Sequence, residues 1–254
     1  MTIFILVVVL IPLTLLYVGT RKPGIDLQRS LSSNITIEPF IRLFTGTKSA
    51  EISFRSSIFH SIIYSSTVAF ISIFFAAFYS MWVAGLKRKT AIGVSFTLLT
   101  LVLLPQTYII LPAIISIQKF SFRPFEHFTI VFILLLGIFP ICSWLLYLMS
   151  GKRFEEIQSM CSLDSLSIFN TMKRIISEIK IELLTVFLLA WAISWGNFLV
   201  PFSLGSKDSY TAVVKVSTFT THLGKDWAMI CAAGFFVCIP GILIGGILGK
   251  KIIK

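Results

Sequence analysis

Charged and apolar positions are segregated along this chain. Between successive Lys, Arg, Asp and Glu residues lie six unbroken stretches of about twenty residues or more: 1–20, 56–86, 90–118, 128–151, 183–206 and 227–249. A helix rises about 1.5 Å per residue and needs roughly 20 apolar residues to cross the hydrocarbon core of a bilayer, so each stretch is long enough to span. A buried helix in a soluble protein rarely needs that length once. The pattern predicts an all-α polytopic membrane protein, with transmembrane helices over about 3–19, 57–84, 91–117, 128–149, 183–203 and 227–249. The first stretch has no basic n-region and no small-residue cleavage site before Arg21, so it reads as a helix and not as a cleaved leader.

One segment departs from this pattern. Residues 152–182, KRFEEIQSMCSLDSLSIFNTMKRIISEIKIE, carry ten charged side chains laid over apolar residues at helical spacing. Phe154, Ile157 and Met160/Cys161 follow i, i+3, i+7 spacing, which predicts a short amphipathic helix over 153–161. Ser162 or Asp164 can then cap a second helix, which carries Leu166, Phe169, Met172/Lys173 and Ile176 along one side. Two short helices with a turn between them present an apolar ridge edged by charge. Glu155, Glu156, Asp164, Glu178 and Glu182 balance the five basic residues of the segment. That balance suits a groove on a partner protein better than an anionic bilayer surface.

Composition agrees with the class: 56% of residues are hydrophobic and only 13% charged, against about 25% charged in soluble domains. The net charge of +11 comes from basic residues scattered among the loops, which points to anionic lipid headgroups and not to nucleic acid. With the N-terminus inside, Lys and Arg divide evenly between the two sides, and the six basic residues between the first two helices weigh against that orientation. The dense clusters Lys87-Arg88-Lys89 and Lys250-Lys251-Lys254 lie directly at helix ends, where the positive-inside rule counts most, and they place both termini in the cytoplasm. Cys142, Cys231 and Cys238 fall in apolar stretches and Cys161 in the charged segment, a spacing that offers no disulfide framework and no metal site.

No Asp, Glu, Lys or Arg falls within the six expected spans, and His60 is the histidine that lies near one. Ion-coupled transporters usually need an intramembrane ionisable group. No nucleophile, metal cluster or carboxylate pair stands at useful spacing, and no Gly-x4-Gly-Lys-Ser/Thr loop is present, so the chain reads as a non-enzyme that binds no ATP itself. The polar features inside the spans are prolines and amides. Pro105 and Pro112 flank Gln106, Thr107 and Tyr108, while Trp195, Gly196 and Asn197 precede Pro201. Proline frees backbone carbonyls, which lipid does not satisfy. Gln106, Tyr108, Trp195 and Asn197 therefore either line a solute path or mark packing kinks, with Asn197 bonding a neighbouring helix.

At this point the residues resemble a known family. The 152–182 segment is similar to the cytoplasmic coupling loop of ABC importer permeases, with Glu156 on the motif's glutamate, Ile157 and Gln158 on its two alanines, and Ser162 on its glycine. Phe169 falls where the sugar-importer branch usually carries an aromatic. "FHSIIYSST" at 59–67, "AAF" at 76–78, "PQTYIILP", "WGNFLVPF" and "TAVVKVSTF…DWAMICAAGFFVCIP" resemble further segments of the second permease of maltose-type carbohydrate importers, over about residues 56–247. The resemblance implies one ABC-importer transmembrane domain over 1–254 in a prokaryotic inner or plasma membrane. Its partners would be a second permease subunit, two ATPase subunits that hold ATP and Mg, and an external solute-binding protein. Phe154, Glu155, Glu156, Ile157, Ser162, Asp164 and Phe169 would form the ATPase-coupling element, with Ser162 in the turn that glycine usually provides and the aromatics buried by the ATPase. The cargo would be a sugar or related polyol. The reading from another class is a non-catalytic membrane scaffold whose 152–182 loop binds an unrelated cytosolic partner, and a neighbouring ATPase gene would exclude it.

Overall fold

The computed structural model describes residues 2–21, 34–45, 54–102, 108, 110–115, 123–163, 168–221 and 224–252. Helices dominate: α1 (Thr2–Gly19), α2 (Glu38–Thr45), α3 (Phe54–Ala84), α4 (Arg88–Val102), α5 (Arg123–Leu163), α6 (Ile168–Glu178), α7 (Lys180–Trp195), α8 (Leu199–Leu204), α9 (Ala212–Ser217) and α10 (Trp227–Ile252). Residues 110–115 are also helical. A short antiparallel pair, β1 (Thr220–Thr221) with β2 (Gly224–Lys225), precedes α10. Among the described residues, Phe54–Ala84, Phe125–Ile157 and Trp227–Gly246 are long and apolar enough to cross a membrane, and Leu10–Gly19 is a shorter apolar helix.

Two helices depart from the expected spans. The helix that holds the fourth stretch does not stop at its charged edge: α5 stays helical from Arg123 through Pro140 and the charged residues to Leu163, about 60 Å at roughly 1.5 Å per residue. Glu155, Glu156, Gln158 and Met160 are good helix formers, so leaving the apolar region gives the helix no reason to stop. The fifth stretch is divided. α7 ends at Trp195, residues 196–198 are not helical, and α8 begins at Leu199. Gly196 and Asn197 favour a helix end, and Pro201 is tolerated because it stands in the first turn of the next helix.

The chain forms two compact units, Met1–Ile63 with Gly196–Lys254, and Tyr64–Trp195. In the first, α1 lies along α10, which also packs against α2 and α9. The crossing of α1 and α10 is close. A Cβ at Gly19 would lie 3.0 Å from the Ala232 backbone, so any other residue would have to push the two helices apart by a few tenths of an ångström. Leu43, Phe54, Ala212, Met229 and Ala233 form the buried core, and Phe44 meets Phe236 edge-to-face at 5.0 Å between ring centres. Ser61 of α3 accepts the Ala212 N–H at 2.7 Å, which satisfies an otherwise orphaned donor in the first turn of α9. Asp226 caps α10 in the same way by accepting from Met229 N at 3.2 Å.

In the second unit, α5 packs against α4, α6 and α7. The part of α3 in this unit buries small residues at three- and four-residue spacing: Ser65, Val68, Ala69, Ser72, Ala76, Ser80 and Val83. Its opposite face exposes Phe70, Phe74, Phe75 and Trp82. Small and hydroxyl side chains inside with large aromatics outside inverts the order of a water-soluble helix. Close helix packing in lipid calls for that arrangement, because the hydrocarbon solvates the large side chains. α5 also exposes large side chains, Phe128, Phe132, Leu136 and Leu148, but its buried face holds the large aliphatics Ile130, Ile133 and Leu134 beside Cys142 and Ser143.

Candidate coupling and pathway sites

The charged segment is built on the far end of α5, on α6 and on the start of α7. The expected short helix over 153–161 is the last part of α5, continuous with an apolar span. Its apolar positions turn inward: Phe154 is 0% exposed, Ile157 is buried, and Ile175 of α6 and Ile179 between α6 and α7 are buried too. Phe154 and Ile157 therefore belong to this chain's own core and are not left for an ATPase to bury. Helical spacing identified the buried face but not whether its cover comes from the same chain. Glu155 and Glu156 remain exposed on the outer face, and Met160 and Ile176 are exposed apolar side chains nearby in sequence. Arg153 and Glu182 form an ion pair that ties α5 to α7.

Ser162 lies within α5, so the turn expected at this position is helix instead. Phe169 falls in α6, and Asp164 lies outside the described residues. Among the expected pathway residues, Gln106 also lies outside the described residues, while Tyr108 is helical and 78% exposed. Trp195 is buried at the end of α7. Its ring stacks on Trp191 at 5.0 Å with 12° between the planes, and Trp191 Nε1 donates to Ser66 Oγ at 3.1 Å. Asn197 has a local task. Its Oδ1 accepts the Val200 N–H at 3.1 Å, which satisfies a free donor in the first turn of α8. A groove beside the start of α3, lined by Arg55, Ser56, Ile58, Phe59 and Ile62, includes none of these residues.

The structure also gathers residues that the charge pattern set aside. Starting the fourth span at residue 128 left Glu126 and His127 outside it. In the structure they stand in α5, inside the apolar helix Phe125–Ile157. Glu126 is 9% exposed, and Tyr64 of α3 hydrogen-bonds His127 Nδ1. Pro124 carries the signal that would have found them: proline favours a helix's first turn, and a glutamate two residues on complements the helix dipole. No protein-family model matches this chain, and no curated protein matches it.

Proposed function

We propose that the chain is a permease subunit of an ATP-driven importer. It would form half of a translocation path for a sugar or related polyol, with six spans and both termini cytoplasmic. The observation that carries this reading is α5, one continuous helix that runs from an apolar span into the segment displaying Glu155 and Glu156. A partner ATPase that docks on that surface pushes on a rod and not on a flexible loop. Closure of the ATPases then moves α5 as a rigid body, and the Arg153–Glu182 pair carries the motion to α7. Differential contact in two nucleotide states biases the inward–outward equilibrium. The resemblance of the segment to an importer coupling loop supports the same assignment.

The end of helix at residues 196–198 is compatible with a path in this segment of the chain. Broken helices in a membrane are tolerated where their free backbone groups meet protein or a water-filled cavity, and transporters place their solutes at such breaks. ATP and Mg belong to the partner chains. Purification of the tagged chain from native membranes, with identification of what accompanies it, tests the assignment. A second permease and a phosphate-loop ATPase are the expected companions. A cytosolic partner without nucleotide chemistry would favour a scaffold.

A further inference from the structure

The short helix α2, between α1 and α3, has a surface that divides into three faces. One is turned to the protein: Pro39 and Leu43 are buried, and Phe40 meets Phe235 and Phe236 of α10 edge-to-face at 6.5 and 6.0 Å. The second is apolar and open. Ile37, Ile41 and Phe44 follow i, i+4, i+7 spacing and are 69%, 57% and 41% exposed. Glu38, Arg42 and Thr45 make the third, with Glu38 and Arg42 in an ion pair. The contacts also fix the depth of α2. Leu43 shares a buried cluster with Met229 and Ala233 of α10. Together with Phe235 and Phe236 these positions fall inside the apolar stretch Trp227–Gly246, about 3–14 Å along the axis from Trp227 at roughly 1.5 Å per residue. At the end of α1, Arg21 lies over the Tyr17 ring at 4.4 Å, an aromatic and basic pair of the kind that marks a headgroup level. Thr36 N donates to Thr20 O at 2.8 Å, so the chain enters α2 from that level.

We propose that α2 is an in-plane membrane helix, with Ile37, Ile41 and Phe44 seated among phospholipid acyl chains and Glu38 and Arg42 turned to the headgroups. An interfacial helix sinks its apolar face about 5–10 Å into the headgroup and acyl boundary, a depth that the contacts with α10 share. Beside this length of α10 the solvent is hydrocarbon and not water, so lipid is the occupant that the open apolar face meets. α1, which lies against the same helix, likewise exposes Leu10, Ile11 and Leu13. The pairing of Arg42 with Glu38 leaves no lone charge from either at the boundary, and the long Arg42 stem lets its head reach water. Packed on α10 and bonded to Thr20, an α2 held by lipid fixes the ends of α1 and α10 at one depth. This inference rests on α10 crossing a bilayer and not on the importer assignment.

The test attaches a bimane to single cysteines in the full chain without its four native cysteines, reconstituted in phosphatidylcholine–phosphatidylglycerol vesicles. The variants are Ile37→Cys, Ile41→Cys and Arg42→Cys, with Leu243→Cys as the reference, because Leu243 is exposed inside the α10 span. Brominated phosphatidylcholine should remove comparable fractions of fluorescence from Ile37→Cys, Ile41→Cys and Leu243→Cys, and much less from Arg42→Cys. Aqueous iodide should give the opposite order. Loss of the Ile41→Cys signal to iodide and not to brominated lipid would put this face in water and overturn the proposal. Protection from both quenchers would mean that protein, this chain or a second copy, covers the face, and would overturn it equally. If Ile41→Cys does not fold, Ile37→Cys decides by the same criteria. A Leu243→Cys signal that brominated lipid leaves intact would instead show that α10 does not span, and the proposal would fall with its premise.

Discussion

Asn197 shows how a single amide can read as a pathway residue in sequence and act as a structural one in the fold. Its Oδ1 holds the Val200 N–H where α8 restarts. Asn197→Leu should therefore cost about 1 kcal/mol of stability, as capping losses do, while Asn197→Asp should keep most of it. Thermal unfolding in detergent, run beside transport, separates the roles. Unchanged unfolding with lost transport would place Asn197 on the path instead. At this scale the sequence was legible wherever periodicity governs. Phe154 and Ile157 were recognised as one buried face, but spacing does not say which surface buries it. Glu126 and His127 were missed because charge marks where water begins, and a helix can begin before that point when its first turn holds proline and an acid.

Helix boundaries follow a different rule from membrane boundaries. The uncharged stretch at 128–151 located the apolar part of α5, yet α5 extends beyond it at both ends because its flanking residues favour helix. The uncharged stretch at 183–206 hid a break, because Gly196 and Asn197 stop a helix without adding charge. Packing between elements was less legible still. Nothing in the sequence marks Gly19 as a contact, but its missing Cβ lets α1 approach the Ala232 backbone of α10. Gly19→Leu should destabilise this packing by about 1–3 kcal/mol, the usual cost of overpacking. A drop in melting temperature checks it, and Gly93→Leu serves as control because a Cβ there meets nothing within 4 Å.

At the scale of the whole molecule, segregation of charge gave the helical class and its lipid-facing character, and the exposed aromatics of α3 and α5 agree with both. Orientation rests on the basic clusters at 87–89 and 250–254. Single cysteines at Ser165 and Lys251, in a chain without its four native cysteines, should resist an impermeant thiol reagent in intact cells. Labelling of either from outside would reverse the topology. The central claim is that the exposed end of α5 is where an ATPase takes hold. Glu156 is exposed there, so Glu156→Lys reverses charge on the proposed docking surface without disturbing the buried Phe154 and Ile157. The most direct test purifies this variant with its partner permease and measures both retained ATPase and solute-stimulated ATP hydrolysis. The account predicts loss of the ATPase or of stimulation, with the helices still inserted. Full retention with wild-type stimulation would contradict it.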